Sequence, residues 1–156
     1  MKTVTIVSDS HGNRAAFEKL STVFAESDYI IHLGDTSGDG NVLRKSYPDK
    51  TYLLNGNCDP VKLGEDELTL QIEGVKIFAC HGDKYGVKRE LSRLAYRAEE
   101  EGARIALYGH THTPREDMLG DITLFNPGTL SRYSLQTYLY LVIYGDKFTG
   151  KFVELL

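Results

Sequence analysis

Five short apolar runs in this chain end in the same way, and that repetition constrains the fold more than any other feature. Val4-Thr5-Ile6-Val7 stops at Ser8-Asp9-Ser10-His11-Gly12-Asn13, and Tyr29-Ile30-Ile31-His32-Leu33 stops at Gly34-Asp35. Thr51-Tyr52-Leu53-Leu54 runs into Asn55-Gly56-Asn57-Cys58-Asp59, Val75 to Cys80 into His81-Gly82-Asp83, and Arg104 to Tyr108 into Gly109-His110-Thr111-His112. Runs rich in β-branched residues and bounded by Gly and Asn read as strands followed by tight loops. Each delivers an Asp, Asn or His at its C-terminal end, beside a Gly. Open α/β sheets bind ligands outside the carboxyl ends of their strands, so these groups are expected to meet in one place.

The segments between the runs supply the rest of an α/β chain. Asn13 is placed to cap a helix continuing to about Glu26, with Ala16, Phe17, Leu20, Val23 and Phe24 on one face at helical spacing. A short helix is expected over Asn41 to Ser46, stopped by Pro48, and a longer one from about Val87 to Glu101 with Gly102 just past its end. Leu68 to Ile72 and Val75 to Cys80, joined by Glu73-Gly74, read as an antiparallel hairpin. Arg115 to Phe125, turning near Gly120-Asp121, reads as a second hairpin. Thr137 to Tyr144 with Lys147 to Glu154 reads as a third. Tyr138 to Ile143 is apolar on both faces, as a strand buried on two sides must be. A β-α-β first half and a mostly antiparallel second half suggest two sheets packed face to face with helices outside. No repeat, low-complexity segment or linker divides residues 1–156, which are read as a single domain.

Composition excludes several classes of function. The 156 residues carry a net charge of −4, and the pI of about 5.7 argues against a duplex nucleic-acid binder, which needs a basic face. No run is long enough for a membrane span, and the N-terminal run is too short and too soon interrupted for a signal peptide. Two cysteines, Cys58 and Cys80, form no disulfide framework. The expectation is a reduced, cytoplasmic protein.

The chemistry collects at the strand ends: Asp9, His11, Asp35, Asn57, His81, His110 and His112. Seven mixed oxygen and nitrogen donors are too many for one ion and suit two. Paired ions about 3.5–4 Å apart clamp the attacking and leaving oxygens of an in-line displacement, and a shared water has its pKa lowered to about 7. Imidazole and carboxylate donors without thiolate suit Mn, Fe, Ni, Co or Zn rather than Ca, and the ligands alone do not name the ion; manganese is the expectation carried forward, with Ni, Fe, Co or Zn as alternatives.

The motifs Asp9-x-His11, Gly34-Asp35, Gly56-Asn57-Cys58-Asp59, His81-Gly82 and Gly109-His110-x-His112 resemble, in order and in position, those of the calcineurin-like metallophosphoesterases. They are most similar to the small, single-domain bacterial and archaeal phosphodiesterases. The resemblance spans nearly the whole chain. It implies a four-layer α/β/β/α sandwich of two mixed sheets flanked by helices, with a dinuclear centre. By the family pattern Asp9, His11 and His112 hold one ion, Asn57, His81 and His110 the other, and Asp35 bridges them. Asp9, Asp35, Asn57, His81 and His110 are then also the catalytic residues. The implied activity is hydrolysis of a small phosphodiester by a hydroxide bridging two divalent metals. Runner-up readings are a phosphomonoesterase at the same site, or a metal-binding scaffold, since the same fold serves a subunit of the retromer coat. A homo-oligomer is compatible with the C-terminal tyrosines.

One position departs from the pattern. Many relatives have His where this chain has Cys58, and a thiol is a poor general acid near neutral pH. Asp59 is a stand-in only if its pKa is raised. Other residues read more plainly: His32 as a core or supporting histidine, Cys80 as a small buried hydrophobe, and Asn126-Pro127-Gly128-Thr129 as a turn. Ser131 and Arg132 follow that turn as secondary candidates for touching a phosphate. Arg89, Arg93 and Arg97 form a solvated helix stripe. Lys84 and Lys88 lie near the expected mouth and are placed to steer an anion. Tyr133, Tyr138 and Tyr140 are the residues from which a scaffold would build an exposed patch.

Overall fold

The computed structural model describes residues 1–156 and contains ten strands in two mixed sheets of five. In the first, β1 (Lys2–Val7), β2 (Tyr29–His32) and β3 (Thr51–Leu53) run parallel, with β9 (Thr137–Tyr144) antiparallel to β1 and β10 (Lys147–Glu154) on the edge. In the second, β5 (Val75–Cys80), β6 (Ile105–Leu107) and β8 (Ile122–Asn126) run parallel. They are flanked by the antiparallel edge strands β4 (Glu67–Ile72) and β7 (Arg115–Leu119). All three expected hairpins form, at Glu73-Gly74, Gly120-Asp121 and Gly145-Asp146.

The two sheets face each other because their strands alternate as the pleat requires. Val4, Ile6, Ile31, Leu139, Leu141 and Ile143 of the first sheet meet Ile77, Ala79, Ile105, Leu107 and Phe125 of the second in one buried cluster. The opposite faces are covered by helices. Val7, Ile30 and Tyr138 pack with Ala16 and Phe24, which belong to α1 (Arg14–Lys19) and α2 (Ser21–Glu26), and with Leu43 of α3 (Asp39–Ser46). Phe78, Ala106 and Leu124 pack under Leu94, Ala95 and Ala98 of α4 (Ser92–Glu100). The result is four layers, α/β/β/α. Tyr138 is covered by this packing and only Tyr133 stands free, at 91% exposure, so the three tyrosines do not form the exposed patch a scaffold would need.

Two helix expectations need correcting. The helix expected over 13–26 is two helices broken at Leu20, whose amide contacts both Ala16 and Phe17 carbonyls. Asn13 does not cap it with its side chain; its Nδ2 instead donates to the Leu130 carbonyl at 2.8 Å, tying the first loop to the turn after β8. The helix expected from Val87 begins only at Ser92. Gly86, at φ 64°, accepts from the Arg89 and Glu90 amides in an isolated turn that does not continue, so Arg89 is not part of a helix stripe. Arg97 is not simply solvated either: it bonds Glu67 and Glu101 and covers the Phe78 ring. The far end matches expectation, because Gly102 (φ 72°) donates to Glu99 and Ala103 to Ala98, a Schellman ending.

Leu139 lies at the middle of the inter-sheet core with no exposed surface. Leu139→Ala is expected to cost about 2–5 kcal/mol, as large-to-small changes in closed cores do. Urea unfolding would measure it; a cost below about 1 kcal/mol would mean that the two sheets close over the site less tightly than their packing indicates.

Candidate metal centre

The parallel strands of both sheets end at the same rim, and the residues that follow them converge. Asp9 comes from β1, Asp35 from beyond β2, His81 directly follows β5, and His110 and His112 lie just past β6. Ligand-type atoms of Asp9, His11 and His112 lie within 4.8 Å of one another, as do those of Asp35, His81 and His110. The two groups share a wall. His112 Nε2 is 3.1 Å and His11 Nε2 3.8 Å from Asp9 Oδ1, while His81 Nε2 is 3.3 Å from Asp35 Oδ2 and 3.9 Å from Asp9 Oδ1. His11 Nε2 is also 3.9 Å from Asp35 Oδ2. The His11 and His112 rings stand 5.3 Å apart, and those of His81 and His110 5.1 Å.

Each carboxylate is anchored at one oxygen and free at the other. Asp9 Oδ2 accepts from the Ser8 hydroxyl and from the His110 amide at 3.0 Å, and Asp35 Oδ1 accepts from the Cys58 amide at 2.8 Å. His81 Nδ1 faces the Leu33 carbonyl at 2.8 Å; a carbonyl can only accept, so in the neutral ring the proton is on Nδ1 and Nε2 presents its lone pair. Asp9 Oδ1 and His81 Nε2 are buried and have no hydrogen-bond partner. Buried polar atoms are otherwise nearly always paired. Two orphaned donors for a cation, aimed at the same space in a carboxylate and imidazole setting, fit a metal centre.

The backbone here is unusual. Asp9 (φ 53°), His11 (46°), Asp35 (61°), His110 (72°) and His112 (64°) all occupy the left-handed region, at a typical cost of about 1–3 kcal/mol for a non-glycine residue in a sparsely populated region. The glycines beside them are required by close approach. A Cβ on Gly109 would lie 2.1 Å from Ser8 Oγ and 2.7 Å from Asp9 Oδ2, and one on Gly56 would lie 2.1 Å from Asp35 Oδ1.

Several residues that hold the loops were not singled out for this role by the sequence. Asp59 accepts from the amides of Asp35 (2.9 Å), Thr36 (2.8 Å) and Gly56 (2.8 Å), stitching the second loop to the third. Burial pushes its carboxyl up, but these amides more than reverse that and leave it below its ordinary value, so Asp59 is no stand-in acid. Asn126 donates to the Gly109 carbonyl and Thr111 Oγ1, and Thr129 Oγ1 donates to the Asp9 carbonyl at 2.7 Å. The Asn-Pro-Gly-Thr stretch is therefore a turn and also a brace; its polar ends were the available signal. Asn57 sits exposed at the tip of its loop with Nδ2 3.6 Å from Cys58 Sγ. Burial and the neighbouring Asp35 charge raise the Cys58 thiol, keeping it protonated at neutrality. Arg132 is exposed, with Nη2 3.4 Å from the Gly12 carbonyl.

The surroundings are electrically uneven. A cleft of about 480 Å³ beside His81 is lined by Asn55, Glu65, Asp66, Glu67, Asp83 and Lys84, and Lys84 lies 4.0 Å from Asp66. On the other flank Lys88, Arg115, Thr111 and Thr113 line a groove of about 270 Å³. Within the centre, burial pushes the Asp35 carboxyl up, yet His81, the Cys58 amide and His11 outweigh it and hold it well below the carboxylate range. Burial works against the His81 imidazolium, but Asp35 and Asp9 raise it overall; His112 is raised chiefly by the Asp9 carboxylate beside it.

The sign of the pH effect follows for His112. A base whose pKa is raised above its ordinary 6.5 on folding stabilises the ion-free protein fully below that value, and the contribution is lost as pH rises through the raised one. His112→Asn is thus expected to lower the urea midpoint of chelator-treated protein more at pH 6 than at pH 8. The reverse ordering would contradict the Asp9–His112 pairing.

Comparison with known proteins shows the family. The model of the calcineurin-like phosphoesterase superfamily domain matches residues 1–146. The chain is 33% identical to the "Probable metallophosphoesterase YsnB" of Bacillus subtilis, over 97% of this chain and 90% of that protein. It is 27% identical to the phosphodiesterase YfcE of Escherichia coli, over 84% and 80%. A crystal structure of a predicted phosphoesterase from Streptococcus pneumoniae superposes with a TM-score of 0.82 at 28% identity, covering 98% of this chain and 89% of that one. A family match over residues 1–146 and a relative 33% identical along 97% of the chain show that the chain belongs to the calcineurin-like phosphoesterase superfamily.

Proposed function

We propose that the protein is a metal-dependent phosphodiesterase that hydrolyses a small phosphodiester by in-line attack of hydroxide at a centre of two divalent ions, manganese being the first choice. The observation that carries this is the pair of ligand groups, Asp9-His11-His112 and Asp35-His81-His110, meeting at the unpaired Asp9 Oδ1 and His81 Nε2. When bound, two such ions neutralise phosphoryl charge and lower the pKa of water enough for it to serve as nucleophile at neutral pH. The residues of the chain do the rest. Asp35, with Oδ1 held by the Cys58 amide and Oδ2 within 3.9 Å of both His11 and His81, is placed to span both groups. His81 presents a neutral Nε2 because its other nitrogen is committed to Leu33. Asn57, on the loop that Asp59 fastens, completes the second group in this reading.

Two features support a diester over a monoester. The cleft beside His81 carries four acidic side chains against Lys84, which disfavours the extra negative charge of a monoester. Cys58, where many relatives have an imidazole, gives no efficient proton donor to a departing alkoxide, so the enzyme favours leaving groups that are stable as anions. Lys88, on the opposite flank, remains available to steer the anion inward.

Chelator-stripped protein should regain hydrolysis of a chromogenic phosphodiester on addition of Mn²⁺, and more weakly with other divalent ions. His110→Ala should lose about 100-fold or more, since even partners behind the ligands typically cost 10–100-fold. A faster monoester rate would transfer the assignment to a phosphomonoesterase, and no turnover with any ion, from folded protein, would favour the scaffold. Cys58→Ser is expected to change the rate with an aryl leaving group by less than about 10-fold, below the usual contribution of a general acid. A larger loss would reinstate Cys58 as proton donor.

A further inference from the structure

Beneath the turn that carries Asp9 and His11 runs a line of buried polar side chains with no part in the chemistry described so far. His32, at the end of β2, is fully buried and set edge-on to Phe17 at 6.1 Å between ring centroids. Its Nδ1 accepts from the Gly34 amide at 3.0 Å. The proton of the neutral ring must then be on Nε2, which lies 2.8 Å from Ser10 Oγ and donates to it. Burial lowers the imidazole to about 4, so this tautomer persists at neutral pH. Asp39 lies next to Ser10; burial raises its carboxyl to about 6, against the lowering effect of Ser10 and of the Gly12 amide. Asp39 Oδ2 accepts from the Gly12 amide at 3.1 Å, and Asp39 Oδ1 is buried without a well-aligned partner.

The line therefore starts at Gly34, beside Asp35, and ends at Gly12, beside His11. Ser10, His32 and Asp39 are all essentially inaccessible to solvent, and no arginine or lysine pairs with Asp39. An apolar filling of this space would avoid the cost of burying these polar groups. What the polar line provides is direction. Main-chain bonds from Asp9 to Gly34 and from His11 to Asp35 fix the spacing of the two loops. Thr129 Oγ1 holds the Asp9 carbonyl from one side, and the Ser10 side chain, gripped from below, anchors the middle of the turn against roll about that axis. With Ser10 held inward, Asp9 and His11 on either side, both left-handed at φ 53° and 46°, are turned toward His112.

We propose that His32, Ser10 and Asp39 are positioning residues: they lock the Ser8–Gly12 turn so that Asp9 and His11 present their donor atoms together, and they thereby set the affinity of the Asp9-His11-His112 group for its ion. This rests on the metal-dependent reading above. Ser10 and Asp39 bond nothing in the loops of Asp35, His81 or His110, and the line meets the second loop only at the Gly34 amide, through His32, so changes at Ser10 or Asp39 fall chiefly on the first group and the effect is lopsided.

The test uses the full chain, stripped with chelator and titrated with Mn²⁺, following bound ion by electron paramagnetic resonance and calorimetry, with thermal melts of the ion-free forms alongside. Wild-type protein should take up two ions and show the signal of a coupled pair. Ser10→Ala should weaken one ion by about 10–100-fold, the range for partners behind metal ligands, and leave the other unchanged. At intermediate Mn²⁺ the signal becomes that of an isolated ion. Asp39→Asn, which keeps the volume but not the charge, should do the same to a smaller degree, and it carries the test if Ser10→Ala does not fold. Equal weakening of both ions in step with a falling melting temperature would show a merely structural role and overturn the proposal. So would two undisturbed affinities. Failure of the wild-type protein itself to bind Mn²⁺ would remove the metal reading and the proposal together, an outcome distinct from either of these.

Discussion

The left-handed backbone at Asp9, His11, Asp35, His110 and His112 is the constraint on which the rest of the centre depends. L residues avoid this region because Cβ crowds the following carbonyl, and five such residues in one rim do not persist without something holding them. The hold comes from side chains that never face the ion space. Asp59 gathers three amides, Asn126 and Thr129 brace the Asp9 and His110 loops, and Asp39 takes the Gly12 amide. They come from three separate segments, the third loop, the end of β8 with the turn after it, and the start of α3, so no single loop keeps its shape alone. The sheets beneath supply a rigid base, and the polar braces convert that rigidity into fixed directions for Asp and His side chains.

The electrostatics express the same tension. Asp9 and Asp35 are buried carboxylates 3.1–3.9 Å from three imidazoles; each has one oxygen held by hydrogen-bond donors, and for the other, without an ion, the nearby compensation is protonation of those rings. Hence His81 and His112 are raised and Asp35 is lowered. A cation and a proton compete for the same nitrogens. The leftover unpaired atoms, Asp9 Oδ1 and His81 Nε2, mark where proton compensation is incomplete. Such an arrangement sacrifices stability, as sites that store strain and unpaired charge commonly do.

Much of this was legible beforehand, and the reasons differ by element. Strands and hairpins were readable because period-2 patterns and Gly-containing turns are local signals. Six of the residues nominated at strand ends, Asp9, His11, Asp35, His81, His110 and His112, stand in two groups because parallel strands must open on one edge. The break at Leu20 was hidden, since the apolar spacing runs straight through it. The late start of α4 was hidden as well, because Val87 and Leu91 are buried by the outer core whether or not they are helical. The role of Asp59 as a tie was hidden for a related reason: a carboxylate's protonation depends on which amides reach it, and three amides from two loops cannot be seen in a linear chain.

The sequence by itself determined the strands, their order of chemistry-bearing ends, the exclusion of thiolate from the donor set, and the superfamily. All of these rest on residue type and spacing along the chain. Tertiary structure decided which donors pair with which, that Asp35 faces both groups, that Asn13 and Asp59 serve as ties between loops, and that His32 and Asp39 grip the first turn at Ser10 and Gly12. Those outcomes depend on distances of about 3 Å between residues 20 to 120 positions apart, set by how two sheets twist and pack. No local pattern encodes that.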